Sequence, residues 1–139
     1  MKFSRVILPA ALALAIAAAF ATPAIAAETA AAGPYTAAQA KSGAAIYTAQ
    51  CSMCHGVKLE GVSGPQLAGS AFISKWSGQT ADDIRDIIAS QMPLTAPGSL
   101  KPAEVLAVLS YILQQNKYPV GPSALTAPKS KTLKIAKQG

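Results

Sequence analysis

Two thiols and an imidazole stand together in Cys51-Ser52-Met53-Cys54-His55, and the chain has no other cysteine and no other histidine. Such residues can bind zinc, run thiol–disulfide exchange or fix a porphyrin, and their spacing separates these uses. A zinc site takes four protein ligands, or three and an open position. Here Cys54 and His55 are adjacent, and the ligand supply stops at three. A redox dithiol sits at a helix start after a buried strand, whereas an Ala-rich helical stretch precedes Cys51. Two cysteines three apart with histidine directly after them is the attachment spacing of a covalent c-type haem. Thiols on one helical turn can add across the two vinyl groups of one porphyrin, and the histidine then lies under the iron. The spacing therefore predicts one covalent haem c, with Cys51 and Cys54 as attachment points and His55 as an iron ligand.

A second axial ligand has few candidates. Met1 precedes a segment read below as removable, Met53 lies between the two attachment cysteines, and no second histidine exists. Met92 is the remaining soft donor, its alternative use being to fill core space. Methionine opposite histidine raises the reduction potential and leaves no open position, which points to an electron carrier.

These residues need elements to position them. Thr36 is a suitable N-cap for a helix over residues 37–50, in which Gly43, Tyr47 and Cys51 share one face at i, i+4 and i+8. A glycine there predicts close approach of another helix. Residues 56–69 carry four glycines and Pro65 and must form a loop. Gly64-Pro65 can bring a carbonyl beneath His55, or can be an ordinary turn. Thr80, followed by Asp82 and Asp83, opens a helix with Ile84, Ile87 and Ile88 on an apolar stripe. That helix must end by Gln91, because Pro93 pushes Met92 into extended backbone. Pro102 suits the first position of a last helix running to about Asn116. Its apolar residues Val105, Leu106, Val108, Leu109, Ile112 and Leu113 predict packing on the first helix, with Val108 or Tyr111 crossing at Gly43.

The ends of the chain read differently. Lys2 and Arg5, the apolar run 6–20 and Ala24-Ile25-Ala26 form a signal peptide over residues 1–26, cleaved after Ala26. The alternative, an uncleaved anchor, needs a more strongly apolar span than this Ala-rich run with Pro9, so no stable membrane insertion is expected. Residues 27–34 read as a flexible lead-in and residues 120–139 as a flexible, Lys-rich tail. The formal net charge is +6. Four lysines, Lys129, Lys131, Lys134 and Lys137, supply most of it, while residues 27–128 carry six basic and six acidic groups. A folded body without a basic face does not fit nucleic-acid binding.

The pentapeptide, then Gly64-Pro65-Gln66-Leu67-Ala68-Gly69, then Met92-Pro93 before a last helix, resembles the class I cytochrome c family over residues 35–119. The resemblance implies an all-α cytochrome c fold, three to four helices around one covalent haem, with first and last helices crossing. It implies that His55 and Met92 ligate the iron, that the Pro65 carbonyl steadies His55, and that Trp76 lies near the haem propionates. A simple core tryptophan is the alternative for Trp76. A narrower likeness, through Trp76-Ser77-Gly78-Gln79-Thr80, Ala96-Pro97-Gly98-Ser99-Leu100 and Tyr111-Ile112-Leu113-Gln114-Gln115-Asn116, is to the cytochromes that accompany quinoprotein dehydrogenases. Lys101 and Lys117 depart from it, where a better cap and a terminal glycine would be expected. The implied function is a monomeric, periplasmic, non-enzymatic electron carrier between redox partner proteins, a dehydrogenase donor or a terminal oxidase acceptor. A dehydrogenase haem subunit and an open-site haem enzyme or sensor are the rival readings.

Overall fold

A computed structural model describes residues 32–138, so the segment read as a signal peptide lies outside it, as do residues 27–31 of the lead-in. The described residues form six helices and no strand: α1 (Ala37–Gln50), α2 (Ser52–His55), α3 (Ser70–Trp76), α4 (Ala81–Gln91), α5 (Pro102–Gln115) and α6 (Ala127–Thr132). Three to four were expected. The additional ones are short, and one of them, α2, is the turn that carries Cys54 and His55.

The three longer helices start and stop where backbone chemistry requires. Thr36 caps α1 by accepting from the Gln39 N–H at 3.2 Å. Thr80 and Asp83 form a reciprocal capping box on α4, and Met92 beyond its end is extended, with φ −118° and ψ 153°. Lys101 has no acceptor to offer α5, and the Glu104 carboxylate answers by accepting from the Lys101 N–H at 2.8 Å. Pro102 fills the first helical position, where its missing N–H costs nothing.

α1 and α5 cross at Gly43. A Cβ on this glycine would be built into the carbonyl oxygen of Ala107, so the helices meet backbone to backbone. The expected partner there was Val108 or Tyr111. Tyr111 instead meets Tyr47 one turn along α1, with ring centroids 5.3 Å apart and planes tilted by 54°. Val105, Val108, Leu109, Ile112 and Leu113 of α5 are all buried, and with Ile84 and Ile88 of α4 they make the centre of the core.

α5 ends in a Schellman turn without the usual glycine. The Tyr118 N–H reaches the Leu113 carbonyl at 3.1 Å and the Lys117 N–H reaches Gln114 at 3.0 Å, which forces Lys117 to φ +68°. A side chain in this left-handed region is strained. Lys117→Gly should therefore stabilise the protein by about 0.5–1 kcal/mol. The check is a thermal melt of the haem-bearing protein, and an unchanged or lower midpoint would contradict the assignment.

Residues 120–138 of the segment expected from composition to be a flexible tail are packed against the rest of the fold. Through Gln138 they form a strap that pairs with three other segments. Leu125 and Ile135 are each 1% exposed. The Ala81 N–H donates to Leu133, the Gly78 N–H to Ile135, and the Ile135 N–H to Gln79, at 2.8 to 3.0 Å. Gln39 exchanges two hydrogen bonds with the Leu125 backbone. Buried Ser130 on α6 donates to Asp82, whose carboxyl is held below its usual range by Arg85 and by this hydroxyl. The lead-in is likewise fixed where it is described: Gly33 and Pro34 are buried, and the Gly121 N–H donates to Tyr35 at 2.7 Å. A few apolar residues suffice here because the strap satisfies its backbone groups against segments already folded.

Candidate functional site

The elements converge on an apolar cleft. Cys51 at the end of α1, Cys54 and His55 on α2, and Gly64, Pro65 and Leu67 of the following loop line one part of it. Ile88, Met92, Pro93 and Leu94 from α4 and beyond, with Val108 and Ile112 of α5, line the rest. Five of the six residues singled out from the sequence thus share one cleft. Trp76 does not line it. It is packed in the core at the end of α3, with the Lys75 ammonium 5.2 Å from its ring centroid.

His55 is buried, and its Nδ1 lies 2.8 Å from the Pro65 carbonyl oxygen. A carbonyl only accepts, so Nδ1 carries the proton and Nε2 keeps a free lone pair. This is the arrangement that orients an imidazole and raises its basicity as a ligand. Gly64 makes room for it, since a Cβ there would sit 2.9 Å from Cε1 and 3.0 Å from Nδ1 of His55. The loop closes on α2 through bonds from the Val62 and Gly64 N–H groups to the Cys54 carbonyl and from Gly61 to His55, all 2.8 to 3.0 Å.

Two side chains tie that loop to the crossing helices. Tyr47 donates from its hydroxyl to the Gly56 carbonyl at 2.7 Å. Asn116, buried at the end of α5, accepts from the Gly69 N–H at 3.0 Å and donates to the Leu67 carbonyl at 2.9 Å. Asn116 was read from the sequence only as the end of a helix. A polar side chain closing an apolar helix, just before a residue with no glycine's freedom, was the available signal.

The chemistry of the thiols narrows the use of the cleft. Neither cysteine is in a disulfide. Burial, and then the neighbouring Cys54, push the Cys51 thiol up to about 11. A thiol this hard to ionise is a poor thiolate ligand and a poor redox nucleophile. Among the described residues no group of three His, Cys, Asp or Glu side chains could hold a metal ion. What remains fits a haem: apolar walls, an imidazole with its Nε2 free, a thioether on the same cleft, and two thiols able to become neutral thioethers.

A family model described as "Cytochrome C oxidase, cbb3-type, subunit III" matches residues 38–112, from α1 through most of α5. A cytochrome c-553-like protein of Synechocystis is 32% identical over 73 residues, which are 52% of this chain and 66% of that protein. Among solved structures, the sulfane dehydrogenase SoxCD from Paracoccus pantotrophus superposes with a TM-score of 0.59 over 69% of this chain and 52% of that one. At 21% identity this is a likeness of fold. The chain thus spans just under two thirds of the one relative and about half of the other.

Proposed function

This chain belongs to the cytochrome c family, in the branch described as cbb3-type oxidase subunit III, and on that premise we propose that it carries single electrons between redox proteins on one haem c. The family implies haem-based electron transfer. In our reading Cys51 and Cys54 would hold the haem by thioethers, and His55 and Met92 would be the protein ligands of its iron. The observation that carries this reading is the pair formed by His55, oriented through Pro65 with Nε2 free, and Met92 on the same cleft.

When bound, the haem supplies a one-electron Fe(III)/Fe(II) couple. The chain's own residues set where that couple lies. A thioether donor at Met92 favours the reduced state, and apolar walls from Ile88, Val108 and Ile112 disfavour the extra positive charge of the oxidised one. The Pro65 bond on His55 works the other way by making the imidazole more basic.

A partner would meet the molecule at the rim of the cleft. Leu94, which lines the cleft, is 70% exposed, and Met53, Val57 and Val62, next in sequence to the cleft-lining Cys54, His55 and Ser63 or within two residues of them, are 85%, 74% and 73% exposed, with Lys58 and Glu60 balancing each other among them. Such a surface suits a small, transient and largely uncharged contact. The segments that carry Lys129, Lys131 and Lys134 are anchored away from it. Leu125 joins α1 at its start, near Gln39, and Leu133 joins α4 at its start, at Ala81. Cys51 and Met92 stand at the opposite ends of these helices, roughly 15–20 Å away at about 1.5 Å per residue. Location in the periplasm follows from the signal read in residues 1–26. No helix among the described residues is long and apolar enough to cross a membrane.

A second reading, a haem subunit permanently docked in a larger redox complex, is favoured by the apolar rim and by the oxidase subunit that the family description names. A stable monomer in size-exclusion chromatography would count against it. Carbon monoxide added to the reduced protein separates both from an open-site enzyme or sensor. We expect no rapid binding at neutral pH, and rapid binding would overturn the carrier.

A further inference from the structure

We infer that Asn116 is a positioning residue for His55. This inference rests on the function proposed above and concerns how the proximal histidine is held.

The chain of contacts is short. The side-chain amide of Asn116 grips Leu67-Ala68-Gly69 from both sides: its oxygen accepts from the Gly69 N–H at 3.0 Å, and its nitrogen donates to the Leu67 carbonyl at 2.9 Å. The nitrogen also donates to the Ile112 carbonyl at 2.9 Å, which locks the amide to the last turn of α5. Pro65, whose carbonyl accepts from His55 Nδ1–H, lies two residues before Leu67. The other bonds of this loop run within it, Leu67 to Leu59, or to α2, from Gly61, Val62 and Gly64, and the Tyr47 hydroxyl on Gly56 ties only its start to α1. Asn116 is therefore the side chain by which α5, the most deeply buried helix of the core, sets the height of the Pro65 carbonyl against the imidazole. Asn116 is itself 6% exposed, so loss of its amide leaves buried backbone groups of the loop without their partner.

A loosened loop lengthens the Nδ1–H···O bond and makes the imidazole a weaker donor to iron. The oxidised state then loses more than the reduced state, and the reduction potential rises. A direct partner of a metal-bound histidine typically changes affinity 10–100-fold when it is removed. Asn116 acts one link further out, so its removal is expected to shift the Fe(II)/Fe(III) preference by roughly threefold to tenfold. That is about 30 to 59 mV for a one-electron couple.

The test uses the haem-bearing protein with Asn116→Leu, which keeps the branching and heavy-atom count of the side chain and loses each of its hydrogen bonds, and Asn116→Ala as a second variant. Leu109→Ala serves as a control: it is fully buried in α5, does not line the cleft, and destabilises the same helix. Reduction potential and hydrogen exchange of the His55 Nδ1 proton are measured for each. The expected result is a higher potential and at least tenfold faster Nδ1–H exchange in the Asn116 variants, with both unchanged in Leu109→Ala. Unmoved values in the Asn116 variants, or an equal shift in Leu109→Ala, would overturn the inference alone. A wild-type protein without covalent haem would overturn the proposed function, and this inference with it.

Discussion

Gly43→Ala should destabilise the protein by about 3 kcal/mol or more, although alanine is the better helix former by about 1 kcal/mol. The two effects oppose each other, and geometry decides between them. The added methyl group would be built into the Ala107 carbonyl oxygen, which is backbone of α5 and has no rotamer by which to move aside. The whole of α5 would have to back away from α1, and with it Val108 and Ile112, which line the cleft. Overpacking of this kind typically costs 1–3 kcal/mol, and the cost is higher where two helices must separate. Denaturant unfolding of the haem-bearing protein measures it, together with the yield of haem-loaded protein. A variant as stable as the wild type would show that α1 and α5 do not cross here.

Ile135→Ala is expected to cost about 3 kcal/mol, a large fraction of the stability of a domain this size. The mobile-tail expectation would give nothing for the same change. Ile135 is 1% exposed, and its backbone pairs with Gly78 and Gln79 at the entrance to α4. Truncating it leaves a cavity beneath the strap where it pairs with the link between α3 and α4. The companion change, replacing Lys131, Lys134 and Lys137 together by glutamine, should alter the unfolding free energy far less, because these side chains are exposed. Equal effects of the two sets would contradict the strap's packing.

How much could be read from the chain follows the range of the signal. The bounds of α1, α4 and α5 were legible because Thr36, Thr80, Pro93 and Pro102 act on the backbone within a few residues of themselves. The loop and its contact beneath His55 were legible for the same reason: Gly64 and Pro65 lie ten residues or fewer from the histidine they serve. The strap was not. Leu125, Leu133 and Ile135 are sparse among lysines and prolines, and only pairing with segments some 50 to 90 residues away makes them a folded element. Gly43 announced a close approach, but a backbone partner such as Ala107 has no side-chain signature. Asn116 looked like an ordinary helix end, because its partners at Leu67 and Gly69 are remote in sequence. Trp76 was placed near the haem by resemblance alone; it is packed in the core and is not among the residues lining the cleft.

The central claim is one haem carried between His55 and Met92, and the most direct measurement is the visible spectrum of the oxidised and reduced protein beside that of Met92→Ala. The account predicts a low-spin, six-coordinate haem in the wild type. In the variant it predicts a spectrum changed toward an open position, with carbon monoxide now binding the reduced form rapidly. Identical spectra for the two proteins would remove Met92 from the iron and contradict the account.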